Sequence, residues 1–296
     1  MSGCRDDLIH SGGQINPRKK DLHMPFKTHK IKPGSVVDLE SIDAHATPAL
    51  AGSKQEERAA ATELHTQNLT CLAEMQYRLW AENSRGVLIV LQGMDTSGKD
   101  GTVRHVMSTM NPQGVIVYSF KKPTEVERAH DFLWRIEQRT PRHGTIVVFN
   151  RSHYEDVGVV RVHNLVSERV WKQRYDQINA FEDRLVASGI TVLKFFLHIT
   201  KQEQKKRLEA RLQNPDRRWK FSPSDIEERG YWGSYMEAYS EALTRCNTPE
   251  APWFVIPADR KWYRNYAIST IVRYTLEHMN PAFPKSTIEP KHIKIP

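Results

Sequence analysis

Short apolar runs alternate with amphipathic stretches along most of the chain. β-Branched and aromatic residues fill 87–92 (VLIVLQ), 115–120 (VIVYSF), 145–150 (TIVVFN) and 191–199 (TVLKFFLHI), each bounded by turn residues, and 253–257 (WFVIP) makes a fifth run. Runs of this kind read as strands buried on both faces, the mark of a parallel sheet. The stretches between them carry helix start signals: Thr124-x-x-Glu127 and Thr200-x-x-Glu203 have capping-box spacing, and Ser167 is placed as an N-cap. The alternation predicts an α/β fold, a three-layer α/β/α sandwich around a central parallel sheet with right-handed crossovers. In such a fold, ligands bind beyond the carboxyl ends of the strands.

Upstream, Leu64, Cys71, Leu72, Met75 and Leu79 recur at helical spacing, with neither Gly nor Pro among them, so 53–83 is predicted to be a helix. Residues 1–52 have no sustained period and are expected to form an irregular arm. The predicted division is arm 1–52, one α/β domain over 53–280 and a C-terminal tail over 281–296. No repeat of solenoid period is present.

Composition narrows the class. No apolar run among the 296 residues reaches membrane-spanning length, and MSGCRDDLIHSGG at the start lacks the basic and apolar parts of a secretory signal, so a soluble cytoplasmic protein is expected. Cys4, Cys71 and Cys246 are widely spaced and form no metal or redox pair, which leaves them as expected reduced thiols. The formal net charge of +8 calls for an anionic partner. Between 201 and 220, eight basic residues face three acidic ones, making this window a candidate anion clamp.

The segment 93–99 (GMDTSGK) matches the G-x-x-x-x-G-K core of a phosphate-binding loop. It follows the strand GVLIVLQ and precedes the helical stretch 100–110, the setting in which backbone N–H groups close around phosphate oxygens at a positive helix end. Candidate phosphate or nucleotide contacts are Gly93, Thr96, Ser97, Gly98, Asp100, Gly101 and Thr102, with Lys99 reaching the transferred group. Asp100 stands where a metal-binding hydroxyl is usual. Asp95, inside the loop, would repel phosphate unless a divalent cation lay between, so it is assigned to magnesium, with Asp156 as a second metal candidate. The alternative for Asp95 is a cap on the loop's N–H groups. The third strand ends in Asn150-Arg151-Ser152 rather than in an aspartate. Arg151 would enter the site and bind two phosphoryl oxygens through its planar fork, or else pair with Glu155 or Asp156 on the surface.

Together GMDTSGKDG, FKKPT through HDFLWR, FNRSHYEDV and KRLEARLQNPDRRWKFSPSD resemble the second polyphosphate kinase family over roughly residues 25–278. The resemblance implies a P-loop kinase fold similar to thymidylate kinase. It also implies transfer of the terminal phosphoryl of inorganic polyphosphate to and from nucleotides (AMP, ADP, ATP) with Mg2+. By this resemblance Asp95, Lys99 and Arg151 match the functionally required residues, 93–99 the Walker A motif, and 207–220 a mobile lid within 201–225. NRSHYEDV, with Glu155 after Tyr154, resembles the class that takes AMP through ADP to ATP. A homo-oligomer, dimer or tetramer, is a family expectation, with no nucleic-acid or membrane partner.

Further candidates follow from position. Arg207 and Arg211 lie four apart on one helix face and could close on one anion, with Arg217 and Arg218 extending the clamp beyond a helix ended by Pro215. Lys121 and Lys122 sit just past the second strand, Asp131 and Arg135 on the stretch after it, and Glu155 and Asp156 beyond the third. Tyr231, Trp232, Tyr235 and Tyr239 repeat at three and four and read as core or interface. Two other readings stay open here: an ATP-dependent nucleoside monophosphate kinase, and a basic nucleic-acid-binding protein.

Overall fold

The computed structural model describes residues 27–288 together with 293 and 295, so the first half of the arm, Cys4 and most of the last residues of the tail lie outside the described residues. Five strands, β1 (Gly86–Gln92), β2 (Val115–Ser119), β3 (Ile146–Asn150), β4 (Ile190–His198) and β5 (Trp253–Pro257), form one sheet in the order β2-β3-β1-β4-β5, every pairing parallel. Each predicted run is a strand, its ends shifted by no more than a residue. β1 and β5 are buried throughout, β4 at all but Thr191 and β3 up to Asn150, whereas β2, at an open edge, is half-exposed. The opposite edge is covered: Lys30 of the arm forms an antiparallel bridge with Phe254, and the Ile31 N–H donates to the Trp253 carbonyl at 2.9 Å. That contact satisfies β5 groups that would otherwise face water as a pairing template.

The main helices are α1 (Lys54–Glu82), α2 (Lys99–Val106), α3 (Glu168–Ala187), α4 (Lys201–Gln213), α5 (Trp232–Arg245) and α6 (Lys261–Met279). α6 packs along α1 and against α2, joined to α1 where Asn68 donates to Ser269 and Thr270, and α3 packs on β4. The result is a P-loop kinase-like fold with a central parallel sheet. After β1 the chain crosses past β3 to the far edge, while after β4 it continues in the opposite direction. The connections leaving β1 and β4 therefore run in opposite directions, and in such folds the crevice for a ligand lies beyond the carboxyl ends of the strands at that point.

Local signals translate unevenly. Ser53 and Glu56 form a full capping box on α1, and Asn83 ends that helix in the left-handed region. Thr124 and Glu127 form a second box. At Thr200 only half a box exists: its hydroxyl accepts from the Glu203 N–H, but the Glu203 carboxylate turns to Arg207, and Asp259 takes the Thr200 N–H instead. Ser167 stands at the N-cap position of α3 without a side-chain cap bond. Pro215 does not merely stop α4; it is the first residue of a new short helix, Pro215–Arg218, capped by Asn214, because proline's missing N–H costs nothing at a helix start. Among the described residues no helix is long and apolar enough to cross a membrane.

Replacing Ser53 with Ala removes the acceptor for the Glu56 N–H and should cost about 1 kcal/mol of stability, read as a lower urea midpoint at unchanged slope.

Candidate active site

Two glycines of the loop between β1 and α2 are required by contact. Gly93 has φ +141°, and a Cβ there would stand 2.6 Å from the Leu197 carbonyl oxygen of β4. Gly98 has φ +108°, and a Cβ would stand 1.8 Å from a guanidinium nitrogen of Arg264. The loop is thus wedged between β4 on one side and α6 on the other. Arg264 is 2% exposed, and among the described residues it has no carboxylate partner. Its Nε and Nη2 donate to Asn265, and burial, then the nearby Arg207, lower its pKa to about 10.

Inside this loop Lys99 is buried, its ammonium donating to the carbonyls of Gly93 at 2.7 Å and Met94 at 3.2 Å. Burial and the Arg151 charge bring its pKa down to about 8, against the pull of Asp95, Glu155 and Asp100. Asp95 Oδ2, Thr96 Oγ1 and Ser97 Oγ are buried and have no hydrogen-bond partner. Buried polar atoms are nearly always paired, so three orphans in one loop mark a place shaped for a ligand. That Asp95 oxygen has no hydrogen bond and, among the described residues, only the Arg211 guanidinium 3.5 Å away against its charge, which leaves it able to take a divalent cation. Asp225 lies close enough for Asp95 to help raise its pKa above the ordinary value, after burial. Such a sparse donor set suits magnesium, which keeps waters and takes few carboxylates beside substrate phosphates. Among the described residues no group of three or more His, Cys, Asp or Glu could hold a metal by themselves. Thr102 does not supply the missing hydroxyl, because its Oγ1 donates back to the Gly98 carbonyl. Asp100 joins two walls instead, accepting from Asn150 at 2.8 Å and from Lys220 at 3.2 Å. Gly101 lies against Arg264.

The second wall follows β3. Arg151 holds φ +63°, a left-handed conformation costly for a side-chain-bearing residue, with its N–H on the Leu91 carbonyl at 3.1 Å. Its exposed guanidinium makes no ion pair among the described residues, and its charge acts on Lys99 and Asp225. The surface pair with Glu155 or Asp156 is not formed. Asp156 is bound to Arg174 at 3.0 Å, and burial raises its carboxyl to about 6, with Arg174 and Arg135 opposing and Glu155 and Asp131 adding. One of its oxygens is therefore occupied, and its charged neighbours are these residues rather than Asp95. Arg135, almost buried, ties down the chain after β2 by donating to the Lys121 carbonyl, and Asp131 accepts from the Leu133 N–H. Lys121 and Lys122 are exposed. Tyr235 and Tyr239 are buried core rings.

α4 forms the third wall, and here one expectation is corrected. Arg207 does not close on an anion beside Arg211. Its guanidinium donates to Glu203, to the Thr96 and Ser97 carbonyls and to the Ala258 and Asp259 carbonyls, which uses all five of its donors. The physical reason is proximity: α4 rests on the back of the loop, where Arg207 meets backbone carbonyls. Arg211, one turn on, faces the crevice, with Asp225 at 3.2 Å and Asp95 at 3.5 Å. Arg217 and Arg218 are exposed, Arg218 donating to the Leu212 carbonyl. Sequence reasoning missed Gln204, which donates to the Asp95 carbonyl, and Arg264. No local motif marks either, since both meet the loop only through the fold.

The family model described as Polyphosphate kinase 2 (PPK2) matches residues 53–284. The AMP/ADP-polyphosphate phosphotransferase of Meiothermus ruber is 48% identical over 260 residues, 88% of this chain and 96% of its own length. The ADP-polyphosphate phosphotransferase of Rhodopseudomonas palustris is 40% identical over 276 residues, 89% of this chain and 94% of its own. The crystal structure of Polyphosphate Kinase 2 from Arthrobacter aurescens TC1 superposes with a TM-score of 0.86 at 41% identity, covering 90% of this chain and 94% of that one.

An anion beside Lys99 favours its ammonium and pulls its pKa back up from about 8. Above pH 8, binding of inorganic tripolyphosphate should therefore take up a proton, and affinity should fall as pH rises, by about tenfold per unit at most. Calorimetry at pH 9 in two buffers of different ionisation enthalpy reads this uptake directly, and an equal heat in both would contradict it.

Proposed function

The chain belongs to the polyphosphate kinase 2 family, and from that premise we propose that it moves phosphoryl groups between inorganic polyphosphate and nucleotides, taking AMP through ADP to ATP. The observation that carries this reading is the meeting of Lys99, Arg151 and Arg211 at a loop with three orphaned buried polar atoms. The acceptor range rests on the M. ruber relative, named for both AMP and ADP. The family match and the named relatives run against an ATP-dependent nucleoside monophosphate kinase.

In this reading an ionised phosphate oxygen of the nucleotide attacks the terminal phosphorus of the chain in line. The new P–O bond lengthens the nucleotide by one phosphate as the bond to the rest of the chain breaks, leaving a polyphosphate one unit shorter. The attacking oxygen already carries its charge at neutral pH, so no general base is required. Lys99 leaves the Gly93 and Met94 carbonyls for the transferred phosphoryl, and Arg151 offers it a planar fork. Arg211 moves from Asp225 onto the donor chain, with Arg217 and Arg218 further along the lid. Backbone N–H groups at Gly98 and at the start of α2 hold phosphate oxygens. Lys121, Lys122, Asp131, Arg135, Glu155 and Asp156 lie on the acceptor side. Magnesium, held by Asp95, would neutralise phosphate charge during transfer. Such catalysis is positioning and preorganised charge, aided by a lid over 201–225 that keeps water from competing as acceptor. A cytoplasmic homo-oligomer of two or four copies completes the reading, its mass measurable by light scattering.

The test is purified protein with magnesium, long-chain polyphosphate and either AMP or ADP, following ADP and ATP. Both acceptors should be phosphorylated, while absence of transfer from polyphosphate alongside ATP-dependent phosphorylation would contradict the proposal. Lys99→Ala and Arg151→Ala should each lower kcat by roughly 10²–10³, the scale for loss of one preorganised charge-stabilising donor, with the thermal melt preserved.

A further inference from the structure

Behind the Arg151 turn, on the face of the sheet away from α6, a lysine stands where an apolar side chain would be expected. Lys194 is the central residue of β4 and has no exposed surface. Its ammonium donates to Glu182 of α3, to the Tyr154 hydroxyl at 3.0 Å and to the Cys246 carbonyl at 2.6 Å, which accounts for all three of its protons. Glu182, equally buried, also accepts from the Tyr154 hydroxyl at 2.8 Å and lies 3.2 Å from His153 Nε2.

His153 and Tyr154 follow Arg151 and Ser152 directly. The Tyr154 N–H and the Gln92 side chain both donate to the Ser152 hydroxyl, at 3.2 and 3.1 Å, and Gln92 is the last residue before Gly93. One buried chain of polar contacts thus runs from β4 and α3 to the residues flanking Arg151 and to the root of the phosphate loop. Stability does not call for it: a buried ion pair is often replaced by apolar residues of similar size at no loss. What it supplies is a single permitted placement for the segment carrying Arg151, whose left-handed backbone persists only if its surroundings over-determine it.

We propose that Glu182 and Lys194, acting through Tyr154, are positioning residues that hold Arg151 at the angle from which it meets the transferred phosphoryl. This rests on the role proposed above for Arg151. Neither residue touches substrate, and their influence on turnover passes through that arginine.

The experiment is a double-mutant cycle. Replacing the pair together, Glu182→Leu with Lys194→Met, keeps the space filled and leaves no unpaired charge. The expected result is a cooperative melt, a fall in kcat of at least tenfold with polyphosphate KM within a few-fold of the parent, and no further fall when the pair is replaced in an Arg151→Ala background. If the losses multiply in full, or if the folded variant keeps parental kcat, the proposal is overturned. Should the apolar pair fail to fold, Tyr154→Phe removes only the linking hydroxyl and must show the same dependence on Arg151. An Arg151→Ala enzyme with unchanged kcat would sink the role of Arg151 itself, a result distinct from additivity.

Discussion

Everything in the crevice depends on holding like charges together before any phosphate arrives. Lys99, Arg151, Arg211 and Lys220 converge at the carboxyl ends of the strands, and each must be kept in place without being neutralised for good. The protein solves this differently for each. Lys99 lies on two loop carbonyls, Arg211 on Asp225 and Lys220 on Asp100, while Arg151 has no ion partner among the described residues and is fixed through its backbone. These are contacts an oligophosphate with its counter-ion can displace. In the proposed reaction the rearrangement falls at binding, so that charge already in place stabilises the phosphoryl group in flight without a further one.

A cage so charged needs a scaffold that does not yield. The phosphate loop is clamped from behind by two arginines: Arg207, whose donors go to backbone carbonyls and to Glu203, and Arg264, which donates to the Asn265 amide. The nearness of Arg264 also explains why Gly98 can carry no side chain. On the other side the Lys194–Glu182 pair sets the segment that follows β3. Two of the loop's glycines and its facing arginine are thus each determined by residues from distant parts of the chain, while its lysine is held by carbonyls of the loop itself.

The five strands were legible because four of them, largely buried on both faces, leave unbroken apolar runs and the half-exposed edge strand β2 is still rich in β-branched residues, but their order was not. The phosphate loop was legible because strand, glycines and helix are contiguous. Arg207 was not, since four-residue spacing puts it on a face with Arg211 but cannot tell whether that face meets solvent or the back of a loop. Arg264 carried no signal at all, lying among the buried residues of α6 outside any motif. Lys194 was visible in principle: a lysine at the centre of TVLKFFLHI asks what could neutralise it. The answer, Glu182 on a preceding helix, lay outside any local pattern.

The central claim is that the crevice passes a phosphoryl group straight from chain end to nucleotide by charge and position alone. A single-turnover quench with enzyme in excess over terminally 32P-labelled polyphosphate, with AMP and magnesium, tests it most directly. The account predicts that label moves from polyphosphate to ADP in one phase, with none retained on denatured protein. Label appearing first on the protein, and passing from there to ADP, would contradict it.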